Sequence, residues 1–244
     1  MLHPWQRLLN AARNLGRHEL GILLGVAALA ALLWGFAELA DEVVEGDTEG
    51  FDRQLLLALR TRDDLADPIG PRWLEEIGRD FTALGGVGVL VILTGGLAGL
   101  LAFQNKLRLV ALLIASVGGG LLVSMLLKLA FDRARPDLVP HGSLIYTSSF
   151  PSGHSTMAAV TYLTLGAVLM RTDKRPAVKL YLMSIAVFLT IAVGVSRVYL
   201  GVHWPTDVLA GWTLGAAWAI ICWLTARWLQ RRGQVEPPTA ETLP

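Results

Sequence analysis

Between two long apolar runs lies the stretch Ser196-Arg197-Val198-Tyr199-Leu200-Gly201-Val202-His203-Trp204-Pro205-Thr206-Asp207. It sets a cation, an imidazole and a carboxylate where hydrocarbon surroundings make ionisable groups costly, so it reads as a functional site. Pro205 suits the first position of a helix, which puts Asp207 in that helix's first turn. A carboxylate behind an imidazole holds one tautomer and stabilises the positive charge that develops when the other ring nitrogen attacks. His203 is therefore a candidate nucleophile and not only a base. A plain capping pair is the competing reading of the same two residues. Arg197 would add an oxyanion donor.

Two further clusters carry similar chemistry. Lys128, Arg133 and Arg135 crowd a polar turn that Pro136 ends. Their ammonium and guanidinium donors suit a tetrahedral oxyanion, although basic residues at helix ends also snorkel to lipid headgroups. Pro151-Ser152-Gly153-His154 precedes an apolar run. Ser152 can cap the helix that follows and Gly153 lets backbone amides approach a ligand, so a phosphate there would meet unpaired N–H groups and the positive end of the helix dipole. His154 could give or take a proton, or could be an ordinary residue of an N-cap. His3, His18 and His141 have no comparable partners in sequence.

These clusters must be positioned by membrane helices. Of 244 residues, 53% are hydrophobic and only 17% charged, and the mean hydropathy is +0.51, which excludes an ordinary soluble domain. A net charge of +1 gives no bulk attraction for nucleic acid, and no nucleic-acid motif is present. The lone Cys222 excludes an intrachain disulfide and a Cys-rich metal site. The expected fold is all-α, an integral membrane bundle of six transmembrane helices. Spans are expected over 20–39, 83–103, 107–131, 154–170, 180–195 and 208–229, inside a membrane domain of residues 19–229. A basic head (1–18) and a polar tail (230–244) flank it, the first run being too long for a signal peptide. In the first outer loop, Phe51, Leu55 and Leu59 recur at helical spacing, as do Trp73, Leu74, Ile77 and Phe81. They predict two amphipathic helices, either lying in the interface or capping the bundle. Gly85, Gly86, Gly95 and Gly99 are expected to serve close helix packing, as is Gly118-Gly119-Gly120.

Arg7, Arg13, Arg17, Lys106, Arg108, Arg171, Lys174, Arg175, Lys179, Arg231 and Arg232 fall in the head, two short turns and the tail. The loop-charge rule makes that side cytoplasmic and puts both termini inside. The three clusters then emerge together on the outer face.

In order and spacing the clusters resemble the three-part signature of the type 2 phosphatidic acid phosphatase family. Lys-x6-Arg-Pro stands as Lys128 to Pro136, Pro-Ser-Gly-His as Pro151 to His154, and Ser-Arg-x5-His-x3-Asp as Ser196 to Asp207. The resemblance runs from about Phe51 to Ala226 and implies a metal-independent lipid phosphatase that needs no cofactor. By that resemblance His203 attacks phosphorus to give a phosphohistidine and Asp207 orients it. His154 protonates the leaving oxygen and then activates water, while Lys128, Arg135, Ser152, Gly153 and Arg197 bind the phosphoryl oxygens. Catalysis by positioning and charge stabilisation agrees with such a donor set, and a bell-shaped pH profile is expected. Phosphatidylglycerol phosphate, undecaprenyl pyrophosphate and phosphatidic acid are the expected substrates, the tail remaining in the bilayer. A phosphotransferase is the alternative within the same chemistry, and a transporter the alternative of another class. Vanadate-dependent haloperoxidases are soluble relatives of the family, which makes vanadate an expected inhibitor.

Overall fold

The computed structural model describes residues 17–137, 148–171 and 174–233, and within them the chain is all-helical apart from one isolated β-bridge, Arg60 to Pro68. The helices are α1 (Arg17–Glu45), α2 (Glu49–Leu57), α3 (Arg72–Leu84), α4 (Val87–Phe103), α5 (Leu107–Ala130), α6 (Gly153–Leu169), α7 (Pro176–Tyr199) and α8 (Pro205–Arg231). The head, most of the tail and His3 and His141 lie outside the described residues, as does the side chain of His18.

Helices stand at all six expected positions. Four of them, α1, α5, α7 and α8, are long and apolar enough to cross a membrane, and the bent pair α3–α4 makes a fifth if it counts as one span. The helix α6 has 17 residues, about 26 Å at the α-helical rise, just short of a typical hydrocarbon core of about 30 Å. The second span starts later than the apolar run implies. A bend of 51° separates α3 from α4 at Gly85-Gly86, because two adjacent glycines carry no side chain to sustain the helix.

At the centre is α6, whose residues from Ser155 to Tyr162 are all buried. It packs against α5, α7 and α8, while α1 packs on α8 from outside. The approach of α8 to α6 depends on two glycines. A Cβ on Gly211 would lie 2.8 Å from Ser152 O, and one on Gly215 would lie 2.7 Å from Thr156 O. The glycines expected to pack do so only in part. Gly119 and Gly120 face Trp218 and Val160, and Gly85 faces Val193, but Gly95, Gly99 and Gly118 have nothing within 4 Å of a built Cβ. Four-residue spacing marks small residues without saying which side of the helix holds a partner.

Both amphipathic helices form, as α2 and α3. Phe51 and Leu55 are 53% and 41% exposed, so the face singled out in α2 is its outer one. The face with Asp52 and Leu56 is fully buried against α8. The loop between α2 and α3 is fastened to the end of α7, with Arg60 Nη2 donating to Tyr199 O (2.6 Å) and Tyr199 OH donating to Ile69 O (2.9 Å).

Candidate active site

Helix ends build the site. The N-terminus of α8 comes against that of α6 through Gly211, so Ser152 N donates to Asp207 O at 2.9 Å. Asp207 stands in the first turn of α8, where its Oδ2 accepts from Trp204 N at 2.9 Å. It therefore caps the helix and faces His203 as well, and the two readings of the pair are compatible. Asp207 Oδ2 lies 3.2 Å from His203 Nδ1, and Ser149 Oγ donates to the same oxygen.

The tautomer follows from the partners. On the opposite edge of the ring, Arg135 Nη1 is 3.0 Å from His203 Nε2, and a guanidinium can only donate. Nε2 therefore accepts, Nδ1 carries the proton, and Nδ1–H donates to Asp207. His203 sits in the loop between α7 and α8 with 1% of its surface exposed. Burial pushes its pKa down to about 3, against the opposing pull of Asp207. The resting imidazole is neutral, with its lone pair on Nε2.

The cations converge on that nitrogen. Arg135 Nη1 also donates to Val202 O (3.0 Å). Arg197, in the last turn of α7, is 8% exposed, and its Nε and that of Arg135 find no partner among the described residues. Buried donors without acceptors are costly, and an anion between them would satisfy both. Lys128 points inward rather than toward headgroups: its Nζ donates to Ser148 O (2.8 Å), and its Cε lies 3.2 Å from where a Cβ on Gly153 would be. A Cβ there would press on the lysine chain, so the glycine lets the ammonium lie close to the start of α6. Lys128, Arg135 and Arg197 all act electrostatically on His154, which lies against Gly85 at the α3–α4 bend. Ser152 is fully buried and caps α6. Its Oγ accepts from Ser155 N (3.5 Å) and Ser155 Oγ (2.9 Å), leaving one hydroxyl hydrogen for any ligand.

All eight expected site residues thus gather around the His203 ring and the start of α6. Arg133, grouped with them by sequence, turns the other way. It donates through Nη1 to Asp207 Oδ1 (2.7 Å) and through Nη2 to Asp52 Oδ2 (2.6 Å). Ser149, Thr206, Thr48 and Asp52 were not legible as site residues. For Asp52 a signal exists, an acid at i, i+4 and i+7 spacing with Leu56 and Leu59 on an otherwise apolar face.

The PAP2 superfamily model matches residues 108–231, which hold all three clusters. Phosphatidylglycerophosphatase B of Bacillus subtilis is 36% identical over 149 residues, covering 59% of this chain and 70% of that protein. The chain belongs to the PAP2 superfamily. The crystal structure of a transmembrane PAP2-type phosphatidylglycerolphosphate phosphatase from Bacillus subtilis superposes with a TM-score of 0.69 at 29% identity, covering 83% of this chain and 98% of that one. An undecaprenyl-diphosphatase of Sulfolobus acidocaldarius is 38% identical over 68 residues, 28% of this chain and 29% of that one. This PAP2 protein is a multi-pass membrane enzyme, a hydrolase of lipid phosphate esters.

For this PAP2 enzyme the His203 environment fixes one limb of the pH profile. If His203 attacks as the neutral imidazole, as the family resemblance implies, a pKa near 3 keeps it in that form as the pH falls from 7 to 5. The acid limb of kcat/KM is therefore expected below pH 5, once the substrate's own ionisation near pH 6 is allowed for. A limb at the ordinary histidine value, near pH 6.5, in rates measured with a pyrophosphate and a monoester alike, would overturn the expectation that burial keeps the His203 imidazole neutral down to pH 5.

Proposed function

We propose that the enzyme removes phosphate from a membrane lipid phosphate or pyrophosphate through a phosphohistidine on His203, without a metal ion. The observation that carries this is the fixed tautomer: Asp207 holds Nδ1–H, so Nε2 presents a lone pair among Arg135, Arg197 and Lys128. In the first step Nε2 attacks phosphorus, the bond from phosphorus to the leaving oxygen breaks, and that oxygen takes a proton from His154, whose protonated form the negative charge of the bound phosphate stabilises against the three cations. In the second, His154 takes a proton from water, the water oxygen attacks phosphorus, and the N–P bond breaks with its electron pair returning to Nε2. Lys128, Arg135, Arg197, Ser152 and the Gly153 amide stabilise the equatorial oxygens throughout. Asp207 stays ionised and balances the imidazolium-like charge.

An apolar groove supports a lipid substrate. It holds about 280 Å³ and runs between α4 and α5, lined among others by Leu90, Val91, Gly95, Gly118, Leu121 and Met157. Met157 is one helical turn from His154, so a hydrocarbon tail in the groove would bring its headgroup to the cradle. Phosphatidylglycerol phosphate stands first among substrates because the Bacillus subtilis relative at 36% identity and the crystal structure that superposes at a TM-score of 0.69 are both enzymes named for it, and undecaprenyl pyrophosphate second. With six spans and the loop charges above, the site opens on the outer face of a bacterial inner membrane and both termini are cytoplasmic.

Phosphate release by detergent-purified protein, with EDTA present, tests the reading against those two lipids and phosphatidic acid. Release that survives chelation, and is fastest with one lipid, is expected. Loss of activity on chelation, restored by a divalent ion, would overturn it. Release only when an acceptor lipid is added would make the enzyme a phosphotransferase.

A further inference from the structure

Three cations lie between positions 128 and 135, and one of them leaves the cradle. Arg133 reaches back between two carboxylates, Asp207 and Asp52, that are both fully buried. Besides the two ion pairs, its Nη1 donates to Thr206 Oγ1 (2.8 Å) and its Nη2 to Thr48 Oγ1 (3.2 Å). Asp52 accepts in turn from Thr206 N on Oδ1 (2.9 Å) and from Thr206 Oγ1 on Oδ2 (2.6 Å). Thr206 is the residue before Asp207. Asp52 therefore grips both the guanidinium that holds Asp207 and the backbone from which Asp207 projects.

We propose that Asp52 and Arg133 are positioning residues for the His203–Asp207 dyad, joining helix α2 of the first outer loop to the reaction centre. The two oxygens of Asp207 have separate tasks. Oδ2 takes His203 Nδ1, Ser149 Oγ and Trp204 N, and Oδ1 takes Arg133. With Oδ1 pinned, the carboxylate cannot rotate away from the imidazole. Asp52 also restrains Arg133. A guanidinium facing a lone carboxylate prefers the two-pronged arrangement that engages both oxygens, and that arrangement would take Oδ2 from His203. By claiming Nη2, Asp52 leaves Asp207 one prong and leaves Oδ2 to the ring.

The inference rests on the phosphohistidine reading, and a double-mutant cycle separates the two. Asp52→Asn and Arg133→Lys are each made in the wild-type enzyme and in the Asp207→Asn variant. kcat and KM are measured on the full chain in detergent with the fastest of the three lipids, and thermal unfolding reports folding. Asp52→Asn is expected to lower kcat by about 100-fold, the scale of a misaligned reacting group, and to leave KM unchanged. In the Asp207→Asn background it is expected to have no further effect. Arg133→Lys keeps the charge but cannot bridge both acids, and the same pattern is expected even if the Asn variant fails to fold. Equal losses in both backgrounds, an effect on KM alone, or full activity would overturn the proposal. Full activity of Asp207→Asn by itself would instead overturn the dyad reading.

Discussion

Replacing His203 with alanine is expected to lower kcat for phosphate release by about 10⁴-fold or more, the scale on which enzymes lose rate when a covalent nucleophile is removed. Among the described residues no other ring nitrogen in the cradle is an acceptor held in place by a carboxylate on the far edge of its ring, and the His154 side chain has no such anchor. Lys128 and the arginines are donors, and Ser152 is committed to the N-cap of α6. The variant is also expected to fold. Asp207 would keep Arg133, Ser149 and Trp204 N, so the carboxylate is not abandoned in an apolar interior. Brief reaction with a radiolabelled phosphate ester followed by denaturation should trap an acid-labile phosphoryl group on the wild type and none on the variant. Residual activity within about tenfold of wild type, or a labelled adduct on His203→Ala, would exclude His203 as the attacking group.

His154→Ala has the second largest expected effect, about 10² to 10⁴-fold on kcat with a lipid phosphate, the range for loss of a general acid–base group. The size should depend on the leaving group. A lipid alkoxide needs a proton to depart, whereas a nitrophenolate does not, so with p-nitrophenyl phosphate the first step should survive. The second step should still fail because water lacks its base. A burst of nitrophenol with phosphoenzyme accumulating is thus expected from His154→Ala, and steady-state turnover without a burst from the wild type. The His154 side chain makes no hydrogen bond to another described residue, so its removal breaks no pairing among them. An equal loss with both leaving groups and no phosphoenzyme would show that His154 only shapes the pocket.

The helices were legible because bilayer-scale apolar runs admit few other folds, and the shape of each cluster was legible because each is local. Pro205 and Asp207 share one helical turn and Ser152 and Gly153 start another, whereas α5 already ends at Ala130, with extended chain from Phe131 on, so Pro136 is not what stops it. The bend at Gly85-Gly86 was not legible, since hydropathy is continuous across it. Nor was the packing side of the glycines: Gly95 and Gly99 face open space, while Gly211 and Gly215 carry the α6–α8 contact. Asp52 escaped notice because α2 was read from Phe51 and Leu55, its exposed face.

By itself, then, the sequence determined the membrane class, the family resemblance and the set of groups available to hold and transfer a phosphoryl group, because residue type and local spacing carry those. Only the tertiary structure decided which groups face which. Lys128, Arg133 and Arg135 are alike as a pattern of charge, yet the packing of α2 against α8 brings Asp52 within reach of one of them, Arg133, and leaves the other two to the cradle. The proton on His203 was settled the same way, by an arginine on one ring nitrogen and a carboxylate on the other. Such assignments depend on distances between segments far apart in the chain, and only folding sets those distances.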